Sequence, residues 1–87
     1  MYKVAYTKSA RKTLDKMDVA TSGTIVSWVR KNLEGTDNPR RSGKALTGHL
    51  AGLWRYRVGD LRIIADIKDE RLIILLVEIR NRRTAYR

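Results

Sequence analysis

Trp54-Arg55-Tyr56-Arg57-Val58-Gly59-Asp60-Leu61-Arg62-Ile63-Ile64-Ala65-Asp66-Ile67-Lys68 is the stretch that decides the fold. Trp54, Tyr56 and Val58 alternate with Arg55 and Arg57, the period of a strand that buries one face. Gly59-Asp60 interrupts the pattern with a two-residue hairpin turn, Gly standing where positive φ is wanted. The alternation resumes with Leu61, Ile63, Ala65 and Ile67 against Arg62, Ile64, Asp66 and Lys68. A loop of two residues fixes the register, so Val58 faces Leu61 and Arg57 faces Arg62. Directly opposed side chains in an antiparallel pair lie about 4.5–5.5 Å apart at Cβ, where two guanidinium groups repel. Arg55 projects from the same face. Three Arg converging opposite Trp54, Tyr56 and Leu61 form a site for a phosphate group, or else are solvated charges on an outward face.

Outward from the hairpin the chain reads as a small α+β domain. Tyr2, Val4 and Tyr6 alternate with Lys3 and Ala5 as a first strand. Thr7 is placed to cap a helix whose buried stripe is Ala10, Leu14 and Met17. Asp18 or Thr21 caps a second helix with Ile25, Trp28, Val29 and Leu33 inward, and Gly35 ends it. Thr36 to Gly52 is a loop-rich connection holding Pro39, Gly43, Gly48 and Gly52. Beyond the hairpin, Asp69-Glu70 marks a second turn and a third strand runs from about Arg71 to Ile79. Strict alternation puts Leu72, Ile74 and Leu76 on one face of it, and Ile73, Leu75, Val77 and Ile79 on the other. A strand apolar on both faces needs cover on both. Helices supply one cover. The tail or a partner chain supplies the other, unless this is simply a well-buried centre strand. The order β-α-α-β-β-β gives an N-terminal strand, a helical hairpin and a three-stranded antiparallel meander, with helices on one face of an antiparallel sheet.

Size and composition bound what this fold can do. The 87 residues suit one domain over 1–87, and the 43% hydrophobic content supports one modest core without any Phe. With no Cys, thiol catalysis and thiolate metal sites are excluded, and with His49 as the single His a conventional zinc site is not expected. No metal or cofactor is called for. The first residues do not read as a signal peptide, and the apolar run Leu72 to Val77 is far below the roughly 20 residues that span a bilayer. A soluble, cytoplasmic protein is expected.

The formal charge of +10 on so small a surface favours a polyanion as partner. The excess is concentrated after Pro39, where nearly all the cations are Arg, whose planar fork suits phosphate oxygens. The tail Arg80-Asn81-Arg82-Arg83-Thr84-Ala85-Tyr86-Arg87 joins guanidinium groups to an aromatic ring, the pairing that single-stranded RNA recognition uses for phosphates and base stacking. The bland alternative is a disordered basic arm.

The run Lys44-Ala45-Leu46-Thr47-Gly48, followed by Gly52 through Ile64, resembles the RelE/ParE superfamily of toxins from type II toxin–antitoxin systems, in its RelE-like branch. There a K-L-x-G segment precedes a W-R-Y-R-x-G-x-Y-R-I hairpin and an R-R-x-x-Y segment closes the chain, matched here by Arg82-Arg83-Thr84-Ala85-Tyr86. The order of elements agrees as well, so the resemblance covers essentially the whole chain. It implies a ribosome-dependent endoribonuclease that cleaves messenger RNA in the A site by attack of the ribose 2′-OH on the adjacent phosphate, without metal. Carried over by motif, Arg62 and Arg82 would stabilise the transition state and Tyr86 would stack on a base or shuttle a proton. Lys44, Arg55, Arg57, Arg80 and Arg83 would hold the RNA backbone. A cognate RelB-like antitoxin, acidic and partly disordered, would cover Leu75, Val77 and Ile79 or the Arg cluster. The expected partners are thus antitoxin, ribosome and message, with no membrane and no small-molecule cofactor.

Two departures from the family pattern stand out. Asn81 occupies the position where many relatives carry His, and Arg55 and Arg57 cannot usefully lose a proton. Only Tyr86 remains as a candidate base, and it would need its pKa lowered by surrounding Arg. Leu61 replaces a frequent hairpin aromatic, and His49 is expected to be a bystander. Two rivals remain: a ParE-like inhibitor of DNA gyrase, and a non-catalytic RNA- or ribosome-binding protein.

Overall fold

The hairpin forms in the register its turn dictates. In the computed structural model, which describes residues 1–81, strands β3 (Trp54–Val58) and β4 (Leu61–Lys68) are antiparallel, with Val58 opposite Leu61 and Arg57 opposite Arg62. Gly59 alone in the turn has positive φ, at 59°, which is the type II′ arrangement. β5 (Ile73–Asn81) pairs with the other edge of β4. With β1 (Lys3–Tyr6) and β2 (Gly43–Ala45) the sheet has five strands in the order β1-β5-β4-β3-β2.

Helices α1 (Lys8–Lys16) and α2 (Val19–Asn32) cover one face of this sheet. Thr7 caps α1, its hydroxyl oxygen accepting from the Ala10 N–H at 3.1 Å. Asp18 caps α2, accepting from the Thr21 N–H at 3.2 Å and from the Thr21 hydroxyl at 2.6 Å. Gly35, at φ 78°, turns the chain out of the helix. The helix residues Ala10, Ile25, Val29 and Leu33 form one buried cluster with Tyr56, Ile63, Ala65, Ile74 and Leu76 from the sheet. Leu14, Met17 and Trp28 pack against that cluster from its margin, as their spacing predicts. The Tyr56 ring meets Trp28 at 5.7 Å between centroids, and its hydroxyl donates to the Pro39 carbonyl at 2.5 Å.

Four features depart from the sequence reading. The sheet is mixed, because β1 runs parallel to β5, with Val4 beside Ile74 and Tyr6 beside Leu76. The connection read as loop contains a strand, β2, antiparallel to β3 with Lys44 opposite Arg55. Its first residue must be Gly, since a Cβ at Gly43 would lie 2.9 Å from Cε1 of Tyr56 and 3.2 Å from the Arg55 carbonyl oxygen. Leu72 does not share the face of Ile74: it lies in the left-handed region at φ 55° after a 3-10 turn at Asp69–Arg71, and is exposed.

The fourth departure is a β-bulge in β5. Ile64 faces Glu78 and Ala65 faces Leu76, so Val77 is the extra residue. Before the bulge Ile74 and Leu76 point to the core, and after it Ile79 does, at 4% exposure. Strict alternation put Ile79 with Leu75 on the opposite face, and that assignment is corrected. Thr7 holds the bulge in place. Its N–H donates to the Leu76 carbonyl at 3.0 Å and its hydroxyl to the Val77 carbonyl at 2.8 Å.

A polar clamp anchors the connection before β2. Arg40 grips Asp69 with two bonds of 3.0 and 2.8 Å, Tyr2 donates to the same carboxylate at 2.7 Å, and the Arg40 guanidinium lies over the Trp54 ring at 5.5 Å. The Arg40 bonds first, and then that from Tyr2, hold the Asp69 carboxyl below its ordinary range.

Candidate anion-binding face

The sheet face away from the helices carries the basic residues in cross-strand rows. Arg57 on β3 faces Arg62 on β4, and Arg62 faces Arg80 on β5. Neighbouring strands are about 4.8 Å apart, so three guanidinium-bearing positions fall within about 10 Å. In the next row Lys44, Arg55, Ile64 and Glu78 stand side by side across four strands. The Arg55–Arg57–Arg62 cluster read from the hairpin therefore exists. The bulge adds Arg80 to it by shifting the end of β5 by one position.

The electrostatics of the row are unfavourable without an anion. Like charges directly opposed across a ladder destabilise it. Among the described residues the row's ion pair with a carboxylate is that of Arg80, whose Nε lies 2.9 Å from Oε1 of Glu78. Arg62 is half-buried, and its Nε is shielded from solvent with no hydrogen-bond partner among the described residues. An unsatisfied buried donor costs about 1–3 kcal/mol, more when it carries charge. A phosphate oxygen placed in the row would satisfy that N–H and screen the three cations from one another, with charge-assisted bonds of the kind guanidinium groups form best.

The structure treats the sequence-derived candidates unequally. Arg57 and Arg80 are exposed, Arg55 and Arg62 are half-buried, and Lys44 is exposed on the edge strand opposite Arg55. Arg82, Arg83 and Tyr86 lie outside the described residues. Leu75 is half-buried on the basic face opposite Asp66, and Val77 is half-buried at the bulge. Ile79, in the core, cannot belong to the same apolar surface. His49 lies in a 3-10 turn, Gly48–Leu50, ahead of β3 at the end away from the Gly59-Asp60 turn. The sequence reading missed Glu78. The signal available was an acid flanked by Ile79-Arg80 and an apolar run, but its face depends on the bulge.

Among the described residues no three His, Cys, Asp or Glu side chains group as metal ligands, and no helix is long and apolar enough to cross a membrane.

Residues 4–86 match the family described as the ParE toxin of type II toxin-antitoxin systems, parDE. Toxin RelG of Mycobacterium tuberculosis is 30% identical over 86 residues, covering 99% of this chain and 97% of that protein. Toxin RelE of the same organism is 33% identical over 86 residues, covering 99% of this chain and 87% of that protein. A chain in the crystal structure of the M. tuberculosis RelBE2 toxin–antitoxin complex superposes with a TM-score of 0.84 at 30% identity, covering 93% of this chain and 98% of that one.

Proposed function

Since the chain belongs to the RelE/ParE superfamily of type II toxin–antitoxin toxins, we propose that it is a ribosome-dependent endoribonuclease that cuts messenger RNA in the A site. The observation that carries this reading is the Arg57–Arg62–Arg80 row, with Arg62 at its centre and its Nε without a hydrogen-bond partner among the described residues. Attack of a ribose 2′-OH on the adjacent phosphate builds negative charge on a phosphorane. Fixed cations aimed at that charge are worth far more than mobile ones, and removing one such donor costs about 10²–10³ in rate. In this reading the row binds the scissile phosphate and Arg62 meets the developing charge most directly. Lys44 and Arg55 hold the neighbouring backbone. Arg82 would add a further cation, Arg83 a backbone contact, and Tyr86 a ring for the splayed base.

The partner that restrains such a toxin is a RelB-like antitoxin, acidic and partly disordered, folding as it binds. The +10 charge supports an acidic partner. Leu75 and Val77, beside the basic rows, supply its apolar contact.

The family match to ParE toxins favours one second reading, inhibition of DNA gyrase. Induced expression in a sensitive bacterium separates the two. The nuclease reading expects amino-acid incorporation to stop within minutes while plasmid supercoiling persists. Lost supercoiling with continued translation would replace it by the gyrase reading.

A further inference from the structure

We infer that Glu78 is the general base of this cleavage, accepting the proton of the attacking ribose 2′-hydroxyl; the inference rests on the nuclease reading above. Glu78 stands on the basic face because the bulge at Val77 puts it there. Strict alternation from Ile74 and Leu76 would have turned Glu78 and Arg80 toward the core. Bulges recur beside active sites for this reason, since one extra residue re-aims those that follow. The side chain is 40% exposed and its Oε1 is 2.9 Å from Arg80 Nε, so the carboxylate is accessible and oriented.

Its position suits the task. Glu78 is two residues from Arg80 on the same face, about 7 Å along the strand. With a phosphate seated in the Arg57–Arg62–Arg80 row, the attacking 2′-oxygen is placed on the side of the Glu78 row. The other members of these two rows are Lys44, Arg55 and Ile64. Lys44 lies on the edge strand β2, two strands and about 10 Å across the sheet from β4. Arg is not a usable base, and Ile64 has no titratable group. The other carboxylate on this face of β4, Asp66, is four residues from Arg62, about 13 Å along the strand, and is paired with Lys68 at 3.0 Å. A carboxylate here weakens attraction for RNA, so its presence beside a phosphate site makes chemical sense when it takes part in the reaction.

The step balances without a co-reactant. The 2′-hydroxyl proton passes to a Glu78 carboxylate oxygen as the O2′–P bond forms. The P–O5′ bond breaks, and its electron pair leaves on O5′, which is protonated from solvent. Glu78 returns its proton to solvent. The products are a 2′,3′-cyclic phosphate and a 5′-hydroxyl.

The test is single-turnover cleavage of a defined message on ribosomes by the full chain and by Glu78→Gln and Glu78→Ala, with ribosome binding measured alongside as the control for folding. Glu78→Gln keeps an oxygen that can accept from Arg80 but cannot take a proton. Both variants are expected to bind ribosomes as tightly as the parent or more so, and to cleave about 10²–10⁴-fold more slowly. Added formate should restore cleavage to Glu78→Ala and not to Glu78→Gln. A Glu78→Gln rate within threefold of the parent would overturn the inference while leaving the nuclease reading intact. Slow cleavage by Glu78→Ala that formate leaves unchanged would overturn it too, reducing Glu78 to a residue that positions Arg80. Failure of the parent itself to cleave would remove both.

Discussion

Replacing Thr7 by Val removes one hydroxyl that two elements share, with little change of side-chain shape. That hydroxyl accepts from the Ala10 N–H at 3.1 Å, capping α1, and donates to the Val77 carbonyl at 2.8 Å, holding the bulge. Loss of an N-cap costs about 1 kcal/mol, and loss of the bond to a part-buried carbonyl costs about 1 kcal/mol more. The expected destabilisation is thus about 2 kcal/mol, a large fraction of the roughly 5–15 kcal/mol that holds a domain together. For a domain of this size it corresponds to a fall in Tm of roughly 8–16 °C. Urea unfolding of the parent, Thr7→Val and Thr7→Ser would measure it, with the Ser variant within about 0.5 kcal/mol of the parent because it keeps both bonds. Hydrogen exchange should quicken at Glu78 to Arg80 more than in the β3–β4 hairpin, because Val77 sets the face of those residues. A Thr7→Val variant as stable as the parent would refute the account of how the bulge is held.

Gly43→Ala should cost about 1–3 kcal/mol by urea unfolding, because the new Cβ meets the Tyr56 ring, which is itself fixed by its bond to Pro39. Burial pushes the Tyr56 phenol up from 10.0 to about 12. Between those values the unfolded chain gives up its proton first, so stability should fall as pH rises from 10 to 12. Tyr56→Phe should make that slope shallower, the remainder coming from the Tyr6 and Tyr2 phenols, which are also raised. It should cost about 1–3 kcal/mol at neutral pH for the orphaned Pro39 carbonyl, and an unchanged slope would contradict the assignment. Leu75→Asp should weaken binding of the cognate antitoxin, read by calorimetry. Undiminished binding would move the antitoxin contact off this face.

The parts of the fold written in local chemistry were readable in the sequence. Gly59-Asp60 set the hairpin register and with it the opposition of Arg57 and Arg62. Thr7 and Asp18 announced the helix starts, and the stripes ending in Met17 and Leu33 announced the buried faces. What was not readable depends on neighbours distant in sequence. Four residues from Lys3 to Tyr6 encode a strand but not the direction of its partner, so the parallel pairing with β5 could not be foreseen. β2 is three residues beginning with Gly, too short to show a period, and it exists because the edge of β3 accepts it. The bulge leaves no trace in a run of Ile, Leu and Val, since every residue in it suits either face. That single irregularity decides that Ile79 is core, that Arg80 completes the Arg row, and that Glu78 stands beside it. The resemblance located the cations by motif, while the face of β5 had to come from the fold.

The most direct measurement is cleavage of a defined message held on purified ribosomes, with the parent chain and Arg62→Ala in parallel. Cuts are expected within the A-site codon that require the ribosome, leave a 2′,3′-cyclic phosphate and a 5′-hydroxyl, and slow by about 10²-fold or more in Arg62→Ala. Ribosome-bound parent protein that leaves the message whole, or equal cleavage by Arg62→Ala, would contradict it.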